Sequence, residues 1–152
     1  MLVRRVPKKN GGQAEQALGR SRGGFSTKIH AIVDGLGNPL RLFLTAGQRH
    51  DITQAPALIC DLPFEFLLAD RAYDSHDFID LLLAMEIEPV IPSKKNAKQP
   101  RDYDTWRYRE RHLVECFIGK IKHFRRVFSR FDKLARRYLG FVQFASTLIW
   151  LR

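Results

Sequence analysis

Apolar and polar residues alternate through FSTKIHAIV (residues 25–33) and again through LRLFLTAG (residues 40–47), the period-two signature of half-buried strands. DGLGNP between them is turn chemistry, so the pattern predicts an antiparallel hairpin complete by Gly47. DITQAPALICDL (residues 51–62) then allows a short helix capped by Asp51. EFLLAD (residues 65–70) is a brief apolar run suited to a buried central strand that ends at Asp70. SHDFIDLLLAMEI (residues 75–87) has helical spacing behind Ser75 as N-cap, and EPVIP (residues 88–92) is a second short strand closed by proline. Strand, helix, strand in that order predicts a right-handed parallel crossover. An aperiodic basic loop, KKNAKQPRDYD (residues 94–104), leads into one long helix from about 105 to 130, and a last helix runs from about 133 to 151. The predicted class is α/β: order β-β-α-β-α-β-α-α, a mixed sheet with flanking helices.

Residues 1–24 carry almost no large apolar side chains and end in GRSRGG, so they read as a basic flexible arm ahead of one folded domain at 25–152. A chain of 152 residues has one domain's worth of core. Its net charge of +10 is unevenly placed: residues 1–28 hold seven Lys/Arg and one acid, residues 34–88 three and ten, residues 94–137 fifteen and five. Basic flanks around an acidic middle suit a polyanion held beside a site that itself attracts cations. Cys60 and Cys116 have no zinc or disulfide spacing, which points to a reducing cytoplasm. MLVRRVPKKNGG lacks the apolar stretch of a signal peptide, and YLGFVQFASTLIWL (residues 138–151) is too short to span a bilayer, so no membrane partner is expected.

The most informative stretch is YRERHLVECFIGKIK (residues 108–122). On one continuous helix Tyr108, Arg111, Glu115 and Lys122 share a stripe about 60° wide. Leu113, Val114, Phe117, Ile121, Phe124 and Phe128 occupy a separate arc that makes the core face. An amphipathic helix always has a polar side, and Arg111 with Glu115 can be an ordinary i,i+4 ion pair. Four such residues at these spacings are more specific.

The pattern Y-x2-R-x3-E-x6-K resembles the signature around the last acidic residue of the DDE transposases of bacterial insertion sequences, in the branch that holds insertion-sequence families 4 and 5. FSTKIHAIVDGLGNPLRLFLTAGQRHD, LLADRAYDS and VIPSKK resemble the strand segments of that family, closest to the family 5 branch, and FASTLIWLR resembles its usual C-terminus. The likeness covers nearly everything after Gly19. It implies a ribonuclease-H-like fold and three acids that hold two divalent cations, Mg2+ by expectation, for cutting and joining DNA. Asp70 matches the second acid and Glu115 the third, both as metal ligands, and Tyr108, Arg111 and Lys122 match the positions that contact or orient DNA. The implied partners are transposon ends and target DNA at the bacterial nucleoid, with homo-oligomer formation left open.

The family's first acid lies on an opening strand, and no acid precedes Glu15 here. The resemblance therefore implies the C-terminal part of a split or truncated transposase, missing its first strand and inactive by itself. A non-catalytic DNA-binding regulator or a decayed remnant stays open beside it. Asp34 sits in the hairpin turn, at the wrong end of its strand for a substitute. His50 and Asp51 are family-like but are given no catalytic role, and Asp74 is expected to cap a helix. His112, Cys116, Trp106 and Trp150 read as packing residues.

Overall fold

A computed structural model describes residues 12, 16–21 and 24–151. Strand β1 (Gly19–Ser21) pairs antiparallel with the start of β2 (Gly24–Val33), and β2 pairs with β3 (Pro39–Ala46) from Thr27↔Ala46 to Val33↔Pro39. The predicted hairpin is present. Asp34 holds its turn by accepting from the Leu36 and Asn38 amides at 2.9 and 2.8 Å, beside Gly37 with a φ of 82°.

The alternation along β2 decides how the molecule is layered. Ile29, Ala31 and Val33, with Leu42 and Leu44 of β3, face an apolar cluster built by α4 (His112–Lys122), α5 (Arg125–Phe128) and α6 (Ala135–Trp150). Ile32 points the other way, into a second cluster formed around α1 (Ala55–Ile59) and α2 (His76–Ala84). Each fully buried side chain, such as Phe117, Ile121 or Leu82, contributes about 1.5–3 kcal/mol by leaving water. Arg41 of β3 donates to the carbonyls of Ala57, Leu58 and Cys60, placing a cation on the open end of α1.

Strand β4 (Phe66–Leu68) pairs in parallel with β5 (Glu88–Val90) across α2, as the strand–helix–strand pattern predicts. Ser75 caps α2 by accepting from the Phe78 amide. The one mixed sheet expected from the sequence is instead two: β1-β2-β3 antiparallel and β4-β5 parallel, without a hydrogen-bonded ladder between them among the described residues.

Other expectations need correction. The long helix over 105–130 is broken into α3 (Thr105–Tyr108), a 3-10 turn at Arg109–Arg111, α4 and α5. Phe124 turns to extended backbone, so Val127 enters the core, its carbonyl taken by the Tyr138 hydroxyl at 2.8 Å, and Phe128 is left 72% exposed. Asp51 does not cap a helix; it begins a 3-10 turn and pairs with Lys28 at 2.9 Å. Trp106, Trp150, His112 and Cys116 are exposed rather than packed. Of the arm expected over 1–24, the end that includes Gly19–Ser21 is strand, and most of the remainder lies outside the described residues. No described helix is long and apolar enough to cross a membrane.

Candidate functional site

Asp70 follows β4 by two residues, where the chain leaves the parallel pair and turns into a 3-10 helix (Arg71–Tyr73). Its Oδ1 accepts from the Ala72 amide at 2.9 Å, which fixes the carboxylate at the mouth of that turn while leaving Asp70 exposed. Strand ends of this kind are where sites of α/β proteins assemble.

Glu115 stands in the first turn of α4, its side chain 61% exposed. Arg111 Nη2 donates to Glu115 Oε1 at 2.6 Å, and the guanidinium lies 5.9 Å from the Tyr108 ring centre. The Glu115 hydrogen bond raises the Arg111 pKa; burial opposes this, and the charges of Glu115, Tyr108 and Asp70 add to it. Asp70 is thus close enough for its charge to act on the guanidinium that grips Glu115. Glu115 is thus gripped directly by an arginine that also feels the charge of Asp70.

Three further contacts build this neighbourhood. Arg107 pairs with Glu88 of β5 at 2.6 Å and with Asp104 at 3.3 Å, and its guanidinium stacks 4.9 Å over Phe66 of β4. It fastens the strand pair that carries Asp70 to the helical stretch that carries Glu115. Asp74, expected to cap a helix, instead accepts from the Lys94 amide at 2.7 Å and from Arg101 Nη2 at 2.6 Å. Burial opposes its charge, yet the Lys94 amide and the Arg101 guanidinium together hold its carboxyl below the usual carboxylate range. That pins the basic 94–101 loop to the turn after Asp70. Tyr108 packs edge-on against Tyr103 at 5.4 Å, joining the same loop to the helix.

Beside the site a cleft of about 320 Å³ runs along β2, lined by Lys28, Ile29, His30, Ala31, Asp51, Tyr73, Val114 and Ile118. Burial, then the charges of Asp51 and Asp70, push the Tyr73 hydroxyl up to about 12.

Of the five site residues read from sequence, Tyr108, Arg111 and Glu115 touch one another, and Asp70 acts on Arg111 through its charge. Lys122 stands apart, about 10 Å further along α4 from Glu115. Sequence reasoning missed Arg107, Arg101 and Tyr73. The i,i+3 spacing of Asp104 and Arg107 was a usable signal for the first, whereas the partners of Arg101 and Tyr73 lie across loops that periodicity cannot register.

The donor chemistry suits a hard divalent ion in kind, since such ions take one or two carboxylates and keep several waters. Among the described residues, though, no group of three His, Cys, Asp or Glu gathers closely enough to hold a metal.

A strand-end aspartate and a helical glutamate held by an arginine are in place, and the chain has a match in known families. The family model described as "Transposase DDE domain" matches residues 3–148, and the chain belongs to that family. It is 38% identical over 131 residues to the protein assigned as transposase of insertion sequence element IS6501 in Brucella ovis, covering 84% of this chain and all of that relative. It is 31% identical over 135 residues to the corresponding protein of insertion sequence element IS402 in Burkholderia cepacia, covering 81% of this chain and 62% of that one. No solved structure matches.

Proposed function

We propose that the chain serves DNA transposition by metal-dependent cleavage and joining of DNA strands, with Asp70 and Glu115 as two acids of the site. What supports this reading is the Arg111–Glu115 ion pair, whose guanidinium also feels the charge of Asp70, in a chain of the DDE family. Asp70 and Glu115, with water and a substrate phosphate, are the groups to hold Mg2+. A pair of such ions, when bound, would supply activation of the attacking hydroxyl and stabilisation of the leaving oxygen. Arg111 keeps the Glu115 carboxylate oriented and its charge offset until DNA arrives. Tyr108, Arg111 and Lys122 line the approach of the backbone, where a guanidinium and an ammonium suit phosphate oxygens. On this reading the β2–β3 hairpin and the β4–β5 pair are portions of one ribonuclease-H-like sheet, and a third acid completes the site.

The test is paramagnetic Mn2+ added to isotope-labelled protein. Resonances around Asp70 and Glu115 should broaden together, and Asp70→Ala or Glu115→Ala should remove the effect. Broadening at neither position rules the site out. Where Mg2+-dependent strand transfer is measured, Asp70→Ala and Glu115→Ala should each abolish it; transfer that both variants retain would overturn their assignment.

A second reading, a DNA-binding regulator without catalysis, is favoured by the lack of a three-ligand group among the described residues. It expects tight DNA binding that Asp70→Ala and added Mn2+ leave unchanged.

A further inference from the structure

Helices α5 and α6 and the segment that connects them carry exposed aromatic rings interleaved with arginines. Phe128, Phe131 and Phe144 are 72%, 60% and 62% exposed. Arg125 lies 5.5 Å from the Phe131 ring centre, and its neighbour Arg126 lies 4.4 Å from that of Phe141. Phe144 stands one turn beyond Phe141 on α6, and Phe128 one turn beyond Arg125 on α5. The fold leaves these rings outside the core: Val127, Val142 and Ala145 fill the buried positions between them.

Charge says what covers the rings. Residues 120–137 hold eight Lys/Arg and one acid, Asp132, whose side chain is only 16% exposed. A second copy docking through this face would bring the same cations against themselves. A polyanion is attracted, and only one whose ring faces are free can also use the phenylalanines. Duplex DNA stacks its bases away, whereas an unpaired strand presents both phosphates and base faces.

We infer that the α5–α6 face binds single-stranded DNA, with Phe128, Phe131 and Phe144 as stacking platforms and Arg125, Arg126 and Arg137 on the phosphates. The inference uses only the family's dealings with DNA and does not depend on the metal site.

Fluorescence anisotropy on the full chain tests it, using a labelled oligothymidylate of about 16 nucleotides and a duplex of equal length. Phe131→Ala and Phe144→Ala should each weaken single-strand binding roughly five- to 150-fold, the range expected for one stacked base. Duplex binding should change less than about twofold. Phe144→Trp should restore the single-strand affinity, and circular dichroism should show each variant folded. Broadening by Mn2+ around Asp70 and Glu115 should persist in Phe131→Ala and Phe144→Ala, so failure of the metal site and failure of this surface are separable. Equal loss on both DNAs, or no loss on either, overturns the proposal. So does a Phe144→Ala variant that binds DNA normally but sediments as a smaller species, which would make this a self-association face.

Discussion

His30 sits on the cleft side of β2, 5% exposed, and shares a 2.6 Å hydrogen bond between its Nε2 and Thr45 Oγ1. Burial lowers its pKa; Asp51 pulls it back up and Lys28 adds to the lowering. A histidine with a depressed folded-state pKa is neutral in the fold but takes a proton sooner in the unfolded chain. Its contribution to stability is therefore present above the ordinary value of about 6.5 and is lost as pH falls through the lower folded value. His30→Gln keeps a neutral hydrogen-bonding group and removes that titration. Chemical denaturation of both proteins across this window should show wild-type stability falling with pH more steeply than the variant's. Parallel slopes would mean that His30 is not held neutral by its burial.

At the scale of elements, the break between α4 and α5 makes a sharp prediction about two residues that the sequence puts on the same face. Phe117 is fully buried, so Phe117→Ala should cost about 3–5 kcal/mol. Phe128 is mostly exposed, and Phe128→Ala should change stability by less than about 0.5 kcal/mol. Urea melts of the two variants decide it, and comparable losses would restore the single long helix. The contrast also shows where sequence reasoning stops. Strands β2 and β3, their turn, the Ser75 cap and the parallel pair were legible because alternation, turn residues and capping residues act over a few neighbours. The break at Phe124 was not, because it is set by Tyr138 on another helix reaching the Val127 carbonyl. The division into two sheets escaped for a similar reason: strand runs give the pairing of neighbours but not whether distant pairs join. Within the site, the Arg111–Glu115 pair was legible as i,i+4 spacing. The Arg107 contacts with Phe66, Glu88 and Asp104 were not, because they join segments that no periodicity relates.

Across the whole molecule the fold gathers cations along one stretch of structure and leaves most acids elsewhere. Residues 34–88 hold ten acids and three basic residues, and several of these are already engaged: Arg41 on α1 carbonyls, Asp51 on Lys28, Asp74 on Arg101, Glu88 on Arg107. Lys120 and Lys122, by contrast, are exposed at the end of α4. Each phosphate neutralised on duplex DNA adds about −0.9 to the slope of log affinity against log salt. Lys122→Ala should therefore make that slope shallower by about one and weaken binding to unrelated sequences uniformly. Arg49→Ala, an equal loss of charge at the exposed end of the hairpin, should leave the slope unchanged. Titrations at four or five salt concentrations separate the two cases. If both variants lose the same increment, the protein attracts DNA through its net charge alone, and the line from the acidic site along α4 has no part in placing the strand.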